Sequence, residues 1–170
     1  MLGESFSAVS LEFDKLQRLV DTHCDLLQEV TEVAPGPRDI SALAIMLHSF
    51  YTGIERVFGR VARELEGGVA AGGDWHKSLL RSMAEPRAGH VPVITQTTAT
   101  RLEAYLAFRH FVRSAYTFEY KWSRMAELVR DCQEVLDVVR SEVRGFLADL
   151  QMPPSPFEPE AHPDGTGSDR

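Results

Sequence analysis

Cysteine is scarce in this chain: Cys24 and Cys132 lie far apart and in no CxxC pair. Both read as buried small hydrophobes of a reducing compartment rather than as halves of a disulfide. No run of about 18 apolar residues occurs, which argues against a membrane-spanning helix. The first residues, MLGESFSAVSLEFDK, are acidic and amphipathic and lack the basic start and apolar block of a signal peptide, so a cytoplasmic location is expected. Alternating β-branched runs are missing apart from the brief VPVI, so no sheet is expected. None of the six histidines forms HxxH, HxxxH or HExxH, and no acid is placed to complete such a set. No GxSxG elbow or phosphate loop is present, and neither cysteine has a histidine at a plausible local position. Gly67, Gly68, Gly72 and Gly73 follow no strand and read as linker. The expectation is a protein with no metal and no cofactor.

What is present is the balance of a soluble globular chain, with 44% hydrophobic and 25% charged residues. The net charge of −7 argues against a general nucleic-acid coat. The last 18 residues hold four acids (Glu158, Glu160, Asp164, Asp169) and one base (Arg170), so the remaining body carries −4. Within that body Arg101, Arg109, Arg113, Lys121, Arg124 and Arg130 gather in one stretch. Such a local basic surface is compatible with a small RNA or an acidic partner.

Helical periodicity dominates. Val9, Phe13, Leu16, Val20, His23, Leu27 and Val30 recur at spacings of three and four, which predicts one long helix over 5–32. APGPRD (34–39) stops it and starts a second helix over about 38–66. After the glycine-rich loop, Asp74 is placed to cap a short helix that stops before Pro86. PRAGHVPVI (86–94) reads as an extended connector. Thr95, Thr97 or Thr98 can cap a fourth helix reaching about Phe118, with a bend or break near Tyr120–Trp122. Ser123 can cap a fifth helix, whose stripe runs from Met125 to Leu150. Five prolines and little hydrophobicity predict a disordered tail over 152–170. The fold expected over 1–151 is all-α: an up-and-down four-helix bundle with an additional short helix, forming a homodimer through an unsatisfied apolar face.

Chemistry concentrates in FRHFVRSAYTFEYKW, Phe108 to Trp122. His23 reads as a packed core residue, and His48 and His76 sit beside aromatics as at a helix contact. On a regular helix of about 100° per residue, Arg109, Arg113 and Tyr116 share a face about 60° wide. His110 and Ser114 lie one turn apart beside them. Arginine suits phosphate because its planar fork donates two hydrogen bonds and keeps its charge. Histidine moves protons near neutral pH, and tyrosine can hydrogen-bond or stack on a base. Together these are the parts of metal-free RNA cleavage. The plainer reading is an arginine-rich face paired with Glu55, Glu119 or Glu127.

FRHFVRSAY resembles the Arg–polar–x3–His signature of HEPN-superfamily ribonucleases. More closely it resembles the Arg–x4–His–x–Tyr signature of HepT toxins, from HepT/MntA toxin–antitoxin pairs. Arg109 matches the arginine, His110 the polar residue after it, and Tyr116 the tyrosine. LHSFYTGIERVFGRVARELEGG (47–68), DWHKSLLRSMAE (74–85) and RLEAYLAFRHFVRSAYTFEYKW (101–122) extend the likeness to roughly residues 5–150. The resemblance implies a four-helix HEPN bundle that dimerises, with the motif helices meeting at a composite cleft. It implies RNA as substrate, with the end or loop of a transfer RNA among the candidates. It also implies an MntA-like nucleotidyltransferase antitoxin that adds AMP to the motif tyrosine, here Tyr116.

The signature's histidine falls at Ser114. A serine hydroxyl has no useful pKa near neutrality and cannot replace imidazole as acid or base. Arg109 and Arg113 retain phosphate-binding chemistry, and His110 is one turn away. Three readings follow. One is a ribonuclease toxin weakened or rerouted through His110. Another is a catalytically silent dimer that docks a nucleotidyltransferase or RNA. The third is a plain helical scaffold.

Overall fold

The helical periods of the sequence become six α-helices joined by short links in the computed structural model, which describes residues 2–66, 74–87 and 90–151. The helices are α1 (Leu2–Thr22), α2 (Cys24–Glu32), α3 (Pro37–Glu66), α4 (Trp75–Ala84), α5 (Gln96–Ser114) and α6 (Trp122–Gln151), with a 3-10 turn at Thr117–Glu119. Among the described residues there is no β-strand, only an isolated bridge between Arg87 and His90. Of the glycine loop expected over 66–74, residues 67–73 lie outside the described residues, as does the tail over 152–170.

The single helix expected over 5–32 is two helices broken at His23. The His23 N–H donates to the Val20 carbonyl, three residues back, at 3.0 Å. The His23 ring Nδ1 takes the Leu19 carbonyl at 2.8 Å, the acceptor that a regular turn reserves for the His23 backbone N–H. The break turns Cys24 outward, so it is exposed rather than buried, whereas Cys132 is buried in α6. Pro37 opens α3, where its missing N–H costs nothing. Asp74 sits at the N-cap of α4, but its side chain makes no cap hydrogen bond.

Thr95 is the cap of α5: its hydroxyl accepts from the Thr98 N–H at 3.3 Å. It also donates to Glu142 of α6 at 2.8 Å, so the same side chain ties α5 to α6. The fourth expected helix ends at Ser114 and not near Phe118. The Ser114 hydroxyl bonds back to the carbonyls of Phe111 and His110, Ala115 turns extended, and Glu119 captures the Tyr116 N–H at 2.6 Å. The last helix starts at Trp122, which puts Ser123 inside its first turn instead of at its cap.

The four long helices run up and down. Glu12 meets Arg60 across α1 and α3, Phe50 meets Tyr105 across α3 and α5, and Tyr105 bonds Leu128 across α5 and α6. Gln17 and Gln133 close the ring between α1 and α6. Helix α3 is the hub, touching α1, α4, α5 and α6, while α4 lies against α3 and α5. Phe13, Phe50, Tyr51, Phe58, Leu102, Met125 and Leu136 fill the shared core. Gly53 lets α1 approach closely, because a Cβ there would stand 2.5 Å from Leu16 Cδ2. One buried acid of the α1–α3 seam is Glu12. Burial alone would raise its pKa, but hydrogen bonds from Arg60 (2.8 Å) and Lys15 (3.2 Å) outweigh that and hold it below the ordinary range.

Candidate functional site

Helices α3, α4 and α5 meet around Arg109, which is only 9% exposed. Its Nη2 lies 3.3 Å from Glu55 Oε2, its Nε donates to the Thr52 hydroxyl at 3.3 Å, and its Nη1 lies 3.4 Å from His76 Nε2. His76 Nδ1 lies 2.6 Å from Glu55 Oε1. Since a guanidinium only donates, His76 Nε2 must carry a lone pair, and the ring proton sits on Nδ1 facing Glu55. Neutral His76 and Glu55 therefore act together as a two-point acceptor for a buried cation. Trp75 covers His76, with ring centroids 3.8 Å apart.

The electrostatics follow from that burial. Desolvation pushes the Glu55 carboxyl up to about 7, although Arg109, His110 and Arg113 pull the other way. Burial lowers the His76 pKa, and the charges of Arg109 and Arg113 lower it further. The same three influences lower the pKa of His48 on α3. Burial, His76 and Arg109 depress that of His110, against Glu55.

The structure separates residues that the helical wheel had grouped. Arg109 is turned into the bundle and paired with Glu55, which is one of the partners the plainer reading named. His110 and Arg113 are exposed on α5, and Arg113 makes no ion pair among the described residues. The His110 ring meets the edge of His76 at 5.6 Å, so an exposed imidazole adjoins the buried cluster. Ser114 is exposed, and its hydroxyl bonds its own helix. Tyr116 is not on the helix face with Arg109 and Arg113: it lies beyond the end of α5 in extended backbone. There it is 71% exposed and stacks on Phe118.

Three members of this neighbourhood carried a readable signal. His48, Thr52 and Glu55 recur at helical spacing in LHSFYTGIE, one face of α3. His76 was marked only by its aromatic neighbour, as at a helix contact; its pairing with Glu55 and Arg109 had no local signal, because those partners come from two other helices. A groove of about 640 Å³ runs between α4 and α5, lined by Lys77, Arg81, Glu103 and His110 among others. Its charge is mixed, and His110 borders both the groove and the cluster.

Residues 42–150 match the sequence pattern of HepT-like proteins. The chain belongs to the HepT-like family. The match begins within α3 and runs to the last turn of α6, so Glu55, His76, Arg109, His110, Ser114 and Tyr116 all lie inside it. Helices α1 and α2, which the resemblance had included, precede the matched segment. No curated protein and no solved structure matches the chain. In this HepT-like bundle no helix among the described residues is long and apolar enough to cross a membrane.

Proposed function

We propose that this HepT-like protein is the ribonuclease toxin of a toxin–antitoxin pair, with His110 rather than Ser114 as its proton-transfer group. The observation behind this reading is the placement of His110: an exposed imidazole against His76, one residue from Arg109 and one turn from free Arg113. In such a reaction a ribose 2′-hydroxyl loses its proton to imidazole and attacks phosphorus. The bond to the 5′-oxygen breaks and that oxygen takes up a proton, returned from the imidazolium through water, leaving a 2′,3′-cyclic phosphate and a 5′-hydroxyl. No metal takes part in that scheme. Arg113 makes no ion pair among the described residues and is the cation available to the phosphate. A lowered His110 pKa leaves its ring neutral, the form a base requires. The working unit of this proposal is a homodimer whose α5 helices face a common cleft. An MntA-like nucleotidyltransferase is its antitoxin, and the exposed Tyr116 hydroxyl is the acceptor for AMP.

A second reading has its own support. Glu55 neutralises Arg109, and the Ser114 hydroxyl is spent on its own helix, as expected of a silent dimer that only docks its partner or RNA. Incubating the protein with total transfer RNA in a chelator separates the two. Cleavage with cyclic-phosphate ends, lost in His110→Ala, supports the first. Silence of the wild type with cleavage by Ser114→His supports the second.

A further inference from the structure

Phe118 is the most exposed large hydrophobic side chain among the described residues, at 82%, and Tyr116 beside it is nearly as open. Their rings are parallel within 6°, with centroids 5.4 Å apart. The short turn that presents them is pinned at both ends. Glu119 accepts the Tyr116 N–H through its carboxylate and donates its own N–H to the Tyr116 carbonyl at 2.9 Å. Tyr120 is buried, with its ring 6.0 Å from Phe111. The rings are therefore held out on an anchored turn, and nothing in the core needs them there.

The surroundings say what would cover them. Arg113, Lys121 and Arg124 flank the turn in sequence, are exposed, and make no ion pair among the described residues. Arg124 lies over the Phe111 ring at 5.2 Å, which holds its charge near the same turn. The acid of the turn, Glu119, is already engaged by backbone. A two-fold contact between copies centred on these rings would bring both sets of cations together, which is repulsive. A polyanion with flat faces suits them better.

We propose that Phe118 and Tyr116 form a stacking platform for unpaired bases of single-stranded RNA, with Arg113, Lys121 and Arg124 taking the phosphates. The platform deepens the RNA reading given above and rests on it. It makes Phe118, outside the motif, a determinant of preference for single strands over duplex, since only unpaired bases offer a free face.

The test is equilibrium binding of a fluorescein-labelled 2′-O-methyl 12-mer, which resists cleavage, as a single strand and as a duplex. Sedimentation of each variant runs alongside. Phe118→Ala and Phe118→Leu should weaken single-strand binding about 5- to 150-fold, the loss of one base stack. Phe118→Trp should retain it, and duplex affinity should not move. Equal single-strand affinity for wild type, Phe118→Ala and Phe118→Leu would overturn the platform and leave the RNA reading standing. Loss of affinity that accompanies dissociation of a dimer would overturn it in favour of an interface between copies. Failure of the wild type to bind either RNA form would overturn the platform and the RNA reading together.

Discussion

Arginine 109 is the residue whose removal says most about this bundle. Arg109→Ala would leave Glu55 buried without its cation, so that at pH 8 the carboxyl, whose pKa Arg109 draws down, either takes up a proton or stays as an uncompensated charge. Removing one partner of a buried pair typically costs about 3–5 kcal/mol, because the remaining charge has lost its compensation. For a chain of this size each kcal/mol moves the melting temperature by roughly 2–4 °C, so a drop of roughly 6–20 °C is expected. Adding Glu55→Gln to Arg109→Ala removes the stranded charge and should recover at least about 1 kcal/mol, the signature of a coupled pair. At pH 5 the single variant should cost less, since Glu55 is then protonated in the folded state. Urea denaturation of wild type, both singles and the double, at pH 8 and pH 5, measures all of this. A cost for Arg109→Ala below about 1 kcal/mol, equal at both pH values and additive with Glu55→Gln, would refute the buried pair. Arg109 would then be a free cation available to a ligand.

The other predictions are independent of that cycle. Because the folded Glu55 pKa of about 7 exceeds the ordinary 4.5, its contribution to stability is full below pH 4.5 and is lost as pH rises through 7. The shift corresponds to at most about 3 kcal/mol, and solvent at the exposed His110 edge screens it to roughly 1–2. Wild-type stability minus that of Glu55→Gln should therefore fall by this amount between pH 5 and pH 8 in urea titrations, and parallel curves would count against it. Gly53→Ala should destabilise, since crowding Leu16 costs about 1–3 kcal/mol against about 1 gained in helix propensity. Gly59→Ala, with no atom within 4 Å of its new Cβ, should raise the urea midpoint by about 0.5–1 kcal/mol equivalent. Movement of both glycine variants in one direction would sink the packing argument. Thr95→Ala should cost about 1–2 kcal/mol through loss of the α5 cap and the Glu142 bond, checked by thermal melting.

How far the sequence could be read depended on distance along the chain. Periodicity and punctuation are local, so the helices were legible, and Thr95 was recognisable as a cap. Their exact extents were less so. His23 and Ser114 satisfy a helical stripe while their side chains compete for the carbonyls of the preceding turn, and a stripe does not register that competition. The same local competition, with Glu119 closing the turn, moved Tyr116 off the helix and away from Arg109.

The family match is likewise a property of the linear chain, and its span takes in Arg109, His110, Ser114 and Tyr116 without assigning any of them a role. What only the tertiary structure decided is which of these face solvent and what holds the one that does not. Glu55, His76 and Arg109 come from three helices with no common period, and only packing brings them within 3.4 Å of each other. Burial then raises the carboxylate and lowers the imidazole, making a neutral histidine and an acid into a seat for one arginine. A sequence carries its own local periods, whereas the dielectric around a side chain belongs to the assembled bundle.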